Sequence, residues 1–250
     1  MSAAAPATVA ASASRNLERV YVWEAPVRIT HWLIFFSILA LSVTGFLIGR
    51  PVINPAGEAR MHHVMATVKI LHFYSGIVFT TSILARLIWM LTGNVYSRWH
   101  QFVPFDARRR RGVWGTLRFY LFIDRNAPPF VGHNPVAGLS YAAIFGLYFL
   151  VTATGFAMYS VGAPVGSPFR KLQWLIPIFG GLPWARWIHH AIMWLLLGFA
   201  VHHVYSALLM SHVEKNACLE SIFSGYKFFP HQELEEERAF NARHHRGARG

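Results

Sequence analysis

The sequence predicts an all-α integral membrane protein, a four-transmembrane-helix bundle with cytoplasmic N- and C-termini. Three observations carry this expectation. Of 250 residues, 54% are hydrophobic and only 14% charged, against roughly a quarter charged in soluble domains. The apolar residues gather in four blocks, each close to the ~20 residues that a bilayer crossing needs. The charges lie almost wholly between and beyond those blocks, and a soluble helical fold would instead show polar stripes along them.

The elements follow in order. Residues 1–19 are expected as a disordered N-terminal tail: they are rich in Ala and Ser and lack the basic start and apolar core of a signal peptide. A four-helix membrane domain is expected over 20–229. Tyr21 and Trp23 suit the membrane interface, and Pro26 suits a helix start. The first span is placed at about 29–48 and ended by Arg50-Pro51 and Asn54-Pro55. The second covers about 70–91 and closes at Gly93-Asn94. A long loop follows, part helical around Gly115–Phe122, with a turn at Gly132-His133-Asn134-Pro135. The third span covers about 139–160. After it, Leu172–Phe179 is apolar but broken by Pro177 and too short to cross, so an interfacial position is expected. The fourth span covers about 188–210, and residues 230–250 are expected as a solvated C-terminal tail.

Net charge is +12, and its distribution sets the topology. Arg15, Arg19 and Arg28 precede the first span, and Arg98, Arg108, Arg109, Arg110, Arg111, Arg118 and Arg125 lie in the middle loop. Fewer sit in the other two loops. With four spans, the two termini and the middle loop share one side, and the excess of Arg and Lys makes that side the cytoplasm. The chain is then expected as a multi-pass membrane protein with both termini on the cytoplasmic side. The Arg108–Arg111 run reads as a topology signal facing anionic membrane lipid. No aromatic-interleaved basic surface accompanies it, so nucleic acid is not an expected partner. Cys218 is the single cysteine, which excludes an internal disulfide, an iron–sulfur cluster held by this chain alone and a C-x-x-C-H haem attachment.

Histidine inside a membrane is costly and points to function, and its neutral imidazole is a common axial ligand of haem iron. Of fourteen histidines, His31 lies in the first span, His72 in the second, and His189, His190, His202 and His203 in the fourth. At 100° per residue, fourteen positions return a side chain to within ~40° of its starting direction. Only His189 and His203 have that spacing, and they lie ~21 Å apart along the axis. One helix could thus serve two haems stacked through the bilayer. Depth then pairs His72 with His189 at an outer site and His31 with His203 at an inner one. His62, His63 and His190 read as interface residues, and His202 as facing a neighbouring helix or lipid. Lys69 and Arg86 are candidates for haem propionates. For Arg86 a snorkelling position at the cytoplasmic end of its span competes equally. His133 and Asn134 lie at the cytoplasmic mouth of the third span, where a simple turn explains them. An internal echo, Val43-Thr44-Gly45-Phe46 and Ala153-Thr154-Gly155-Phe156, fits either a duplicated helix pair or a chance small-residue packing contact.

Several segments together resemble the b-type cytochrome subunit of membrane-bound nickel–iron uptake hydrogenases. They are Tyr21–Arg28 with His31-Trp32, Val43–Gly49, His72-Phe73 with Gly76, Gly132–Pro135, Thr154–Tyr159, His189-His190 with Met193-Trp194, His203-Val204-Tyr205 and Ser224-Gly225-Tyr226. The resemblance runs from about residue 20 to 229. It departs at His202, where an apolar residue is usual, and in a shorter loop after the first span. It implies a dihaem membrane anchor with two b haems and axial ligands His31, His72, His189 and His203. Its partners would be the hydrogenase small and large subunits on the periplasmic side, and quinone would be its electron acceptor, with His133 and Asn134 as candidates at the quinone site. The chain would hold no H2-activating site of its own and would act as the electron-transferring, quinone-reducing subunit of an oxidoreductase. Related cytochromes of formate dehydrogenases and thiosulfate reductases share this plan and stay open, as does a haem-free membrane anchor. A metal-ion or proton transporter would want Asp or Glu within the spans, and there is none.

Overall fold

The computed structural model describes residues 17–51, 63–103, 107–125, 130–131, 133–214 and 216–244. Four of its helices are long and apolar enough to cross a membrane: α1 (Ala25–Gly49), α2 (Val64–Thr92), α4 (Pro135–Gly162) and α6 (Leu182–Glu214). Between them lie α3 (Ala107–Tyr120) and the one-turn α5 (Leu175–Ile178), with the one-turn α7 (Ser221–Ser224) and α8 (His231–His244) after α6. Each long helix extends past the apolar block that marks it, because its ends continue into polar flanks.

Local chemistry sets the helix ends. Asn134 caps α4 by accepting a hydrogen bond from the Ala137 amide at 2.8 Å, and Pro135 occupies the first turn, where no amide donor is required. Pro26 plays the same part in α1, which stops at Arg50 before Pro51. Within the spans several hydroxyls bond back to the carbonyl one turn earlier, as Thr80 does to Gly76 at 2.7 Å and Ser82 to Val78 at 2.7 Å. That satisfies them without water.

The bundle is two hairpins: α1 packs on α2, and α4 on α6, with α2 also touching α4. Ile34, Phe79, Ile83, Ile144, Phe145, Tyr148, Ile192 and Leu196 form the shared core. Large apolar side chains such as Phe36, Ile88, Trp194 and Val201 point outward, as lipid-facing residues must. The Leu172–Phe179 segment lies against α4 as a 3-10 stretch (Pro168–Trp174) running into α5, with Trp174 and Ile178 exposed.

One departure from an all-helical fold appears among the described residues. Strand β1 (Leu17–Tyr21) pairs antiparallel with β2 (Tyr226–Pro230), Leu17 opposite Pro230 and Tyr21 opposite Tyr226. Residues 17–19 therefore belong to a strand and not to the expected tail, and residues 231–244 form α8, with Leu234 fully buried. Apolar burial beside the sheet accompanies this: Val22, Trp23, Phe229 and Leu234 join Tyr96 and Val131 in a second small core. The sheet unites the two ends of the chain at the end of the bundle where α1 starts. The α2–α3 connection closes on it, since Glu24 accepts hydrogen bonds from Trp89 Nε1 at 2.7 Å, the Asn94 amide at 2.8 Å and Ser97 Oγ at 3.2 Å. Asn94 Nδ2 in turn donates to the Val22 carbonyl at 3.0 Å. The Asn54-Pro55 turn, His62 and Gly132 lie outside the described residues.

Candidate functional site

The four candidate histidines come together as two pairs, each spanning the two hairpins. His72 of α2 faces His189 of α6 with ring centroids 6.5 Å apart, and His31 of α1 faces His203 of α6 at 6.1 Å. A metal–imidazole bond is about 2.0–2.1 Å long, so two imidazoles on opposite sides of one metal place their centroids roughly 6 Å apart. Both pairs have that spacing. Among the described residues no group of three or more His, Cys, Asp or Glu could hold a bare metal ion. Two imidazoles without a third donor suit a metal whose other positions a macrocycle already fills.

The surroundings of the pairs differ. At His72 and His189 the sequence echo takes on a role. Thr44 Oγ1 lies 2.8 Å from His72 Nδ1, and Thr154 Oγ1 lies 3.0 Å from His189 Nδ1. A Cβ on Gly45 would stand 3.4 Å from His72 Cε1, and one on Gly155 3.3 Å from His189 Cε1. Each Thr-Gly step thus holds one ring: the hydroxyl meets its nitrogen and the missing side chain makes room for it. These four residues were readable only as a repeat, and that repeat was their one signal. Phe73, Tyr159 and Phe169 cluster beside His72, with Phe73 and Tyr159 stacked at 4.2 Å. At the other pair, Trp32 sets its edge on His31 at 5.3 Å and Phe199 stacks on His203 at 5.6 Å.

The other singled-out residues fall elsewhere. His190 bonds the Arg186 carbonyl at 2.7 Å and lies against Gly49, while His202 is exposed and reaches Ser206 Oγ at 3.3 Å. Exposed His63 precedes α2, and Lys69 is exposed on that helix. Arg86 does not snorkel: it is 2% exposed, points inward, donates to the Ser97 carbonyl from both terminal nitrogens at 3.3 Å, and has its guanidinium 5.6 Å from the rings of Phe102 and Tyr141. Within the Arg108–Arg111 run, Arg109 is likewise buried. It donates to Gln101 Oε1 and to the Gln101 carbonyl at 2.7 Å each, and to the His133 carbonyl at 2.9 Å. Burial, with Lys227, Arg86 and Arg109 nearby, holds the His133 imidazole neutral, well below its usual range. Asn134 is occupied as the cap of α4.

The family model for prokaryotic cytochrome b561 matches residues 22–225, from the end of β1 through α7. The chain belongs to that family. With its four apolar helices, this cytochrome is a multi-pass protein of the bacterial inner membrane, and a b-type cytochrome carries haem b. Similar proteins include one from Cupriavidus necator, 35% identical over 226 residues that cover 88% of this chain and 91% of the relative. Another, from Bradyrhizobium diazoefficiens, is 37% identical over 89% of this chain and 93% of its own. Both are described as a probable Ni/Fe-hydrogenase B-type cytochrome subunit. A third, from Escherichia coli K12, is 37% identical over 86% of this cytochrome and 93% of the relative, and is described as a probable Ni/Fe-hydrogenase 1 B-type cytochrome subunit.

Proposed function

We propose that this cytochrome is the membrane subunit of a nickel–iron hydrogenase and carries electrons from H2 oxidation on the periplasmic side through two b haems to quinone. The single observation that supports it most is the pairing of His72 with His189 and of His31 with His203, both at a spacing that fits bis-imidazole ligation. The descriptions of the relatives from Cupriavidus necator and Escherichia coli supply the partner. When bound, haem b gives each site reversible one-electron chemistry.

The chain's own residues would do the rest. α6 supplies one imidazole to each pair, so a single rigid helix fixes the spacing between the two sites. The His72–His189 pair is the outer one and the His31–His203 pair the inner one, because β1, β2 and the Arg-rich α3 share the end nearest His31 and that end is cytoplasmic. Buried Arg86 makes no ion pair among the described residues and has an unpartnered Nε. It offers a cation to a propionate at the inner site, as exposed Lys69 does at the outer one. Beside His31, Ile29, Trp32, Phe36 and Phe223 line an open apolar groove with Arg28 at its edge. A lipid-soluble quinone could reach the Trp32 face of His31 there.

A reduced-minus-oxidised spectrum of the purified chain, with haem quantified, tests the reading. The expected result is a b-type spectrum with two haems per chain, and one haem fewer after His203→Ala. A colourless preparation, or His203→Ala with unchanged haem content, refutes it.

A further inference from the structure

We infer that Thr44 and Thr154 are positioning residues that fix the tautomer of the outer histidines and strengthen them as donors, lowering the reduction potential of the site they serve. The inference rests on the two-haem reading above.

Hydrogen counting carries the argument. Thr44 has one hydroxyl proton and gives it to the Ala40 carbonyl at 2.6 Å. A carbonyl has no proton to return, so a favourable 2.8 Å contact between Thr44 Oγ1 and His72 Nδ1 requires the imidazole to donate. Thr154 gives its proton to the Leu150 or Val151 carbonyl, each at 2.9 Å, and accepts from His189 Nδ1 at 3.0 Å. Both imidazoles then carry their proton on Nδ1 and keep the Nε2 lone pair for iron. The acceptor is a hydroxyl already polarised by its own donation to a helix carbonyl, which makes it the better acceptor. A second acceptor backs the His189 bond: the Val151 carbonyl at 3.1 Å, three residues before Thr154. The corresponding Leu41 carbonyl lies 3.3 Å from Thr44 Oγ1. Drawing on the Nδ1 proton raises the basicity of the ligating nitrogen and favours ferric iron.

Among the described residues no such device is seen at His31. His31 Nδ1 is buried and makes no hydrogen bond among the described residues. The chain's internal repeat also fails there. The shift in numbering that carries Thr44 onto Thr154 carries His31 onto Tyr141, and the shift that carries His72 onto His189 carries Arg86 onto His203. The two halves therefore match at the clamped pair and diverge at the unclamped one. The bonds bias the two sites apart in the sense that sends an electron from the outer pair to the inner pair.

The test is a spectroscopic redox titration of the full-length chain, with haem counted in every sample. Thr44→Val and Thr154→Val remove the acceptor and keep the branched shape, and Thr44→Ser and Thr154→Ser restore it. Thr80→Val is the control, because among the described residues Thr80 bonds back to its own helix alone. The expected result is one midpoint potential raised in each Val variant, the other unmoved, and wild-type values in the Ser variants and in Thr80→Val. Haem affinity at the affected site should fall by about 10–100-fold, with the site kept filled by added haem during the titration. Val variants that keep both haems with unshifted potentials overturn the inference and leave the two-haem reading intact. So do Ser variants that fail to recover the wild-type potential. A colourless wild-type chain overturns both.

Discussion

Between the rings of Trp23, Phe102 and Tyr141, at centroid distances of 4.8, 5.4 and 5.5 Å, His133 sits where a proton would meet three buried cations. Its folded value lies well below that of the unfolded chain, near 6.5. The unfolded state therefore takes up a proton first as pH falls, and stability is lost below about pH 6.5 down toward the folded value. Thermal melting in detergent should show a midpoint that drops between about pH 7.5 and 5, and His133→Phe should flatten that dependence. An equal slope in the variant would assign it to other groups. The four paired histidines were legible in the sequence because imidazoles are scarce inside membranes and α6 repeats them at a helical spacing. Thr44 and Thr154 were legible only as part of a repeat, since hydroxyls on spanning helices ordinarily bond their own backbone and residue type alone does not mark the few that do more. Arg86 was ambiguous for a related reason: near a helix end, a long cation can turn outward or inward, and only the packing of Ser97, Phe102 and Tyr141 decides.

Element by element, hydropathy located the four spans but understated their lengths, because polar caps and flanks extend a helix beyond its apolar stretch. The β1–β2 pairing escaped it. Five-residue strands from opposite ends of the chain leave no local signature, and the Glu-rich stretch after them reads as solvated. Packing shows otherwise at Gly225, which takes φ +87° to turn α7 into β2 while its carbonyl accepts from the Val22 and Trp23 amides at 2.9 and 3.0 Å. A Cβ there would stand 2.5 Å from the Tyr21 ring and 2.7 Å from the Trp23 carbonyl. Gly225→Ala should cost about 1–3 kcal/mol for the left-handed backbone alone, read as a lower melting midpoint. Leu234→Ala, which empties a fully buried site beneath α8, should cost about 2–5 kcal/mol. If either variant melts like wild type, the sheet and α8 contribute nothing to holding that end together.

At the scale of the whole molecule, the Arg-rich loop does two jobs that composition cannot separate. Arg111 is exposed, whereas Arg109 ties the middle loop to the start of α4 through Gln101 and the His133 carbonyl. The chain's two ends meet in one sheet, so the charge bias and the fold agree on a shared side. A green fluorescent protein fused after Gly250 should fluoresce, and alkaline phosphatase at the same point should be inactive. The reverse result would invert the assignment of outer and inner pairs. A last consequence follows from both pairs borrowing a partner from α6, the helix synthesised after the other three. While the ribosome is still extruding the first three helices, His31 and His72 stand without counterparts, and neither grip exists. Assembly is therefore gated by the arrival of the last spanning helix, which completes both grips, and a nascent chain arrested before it should mature no pigment.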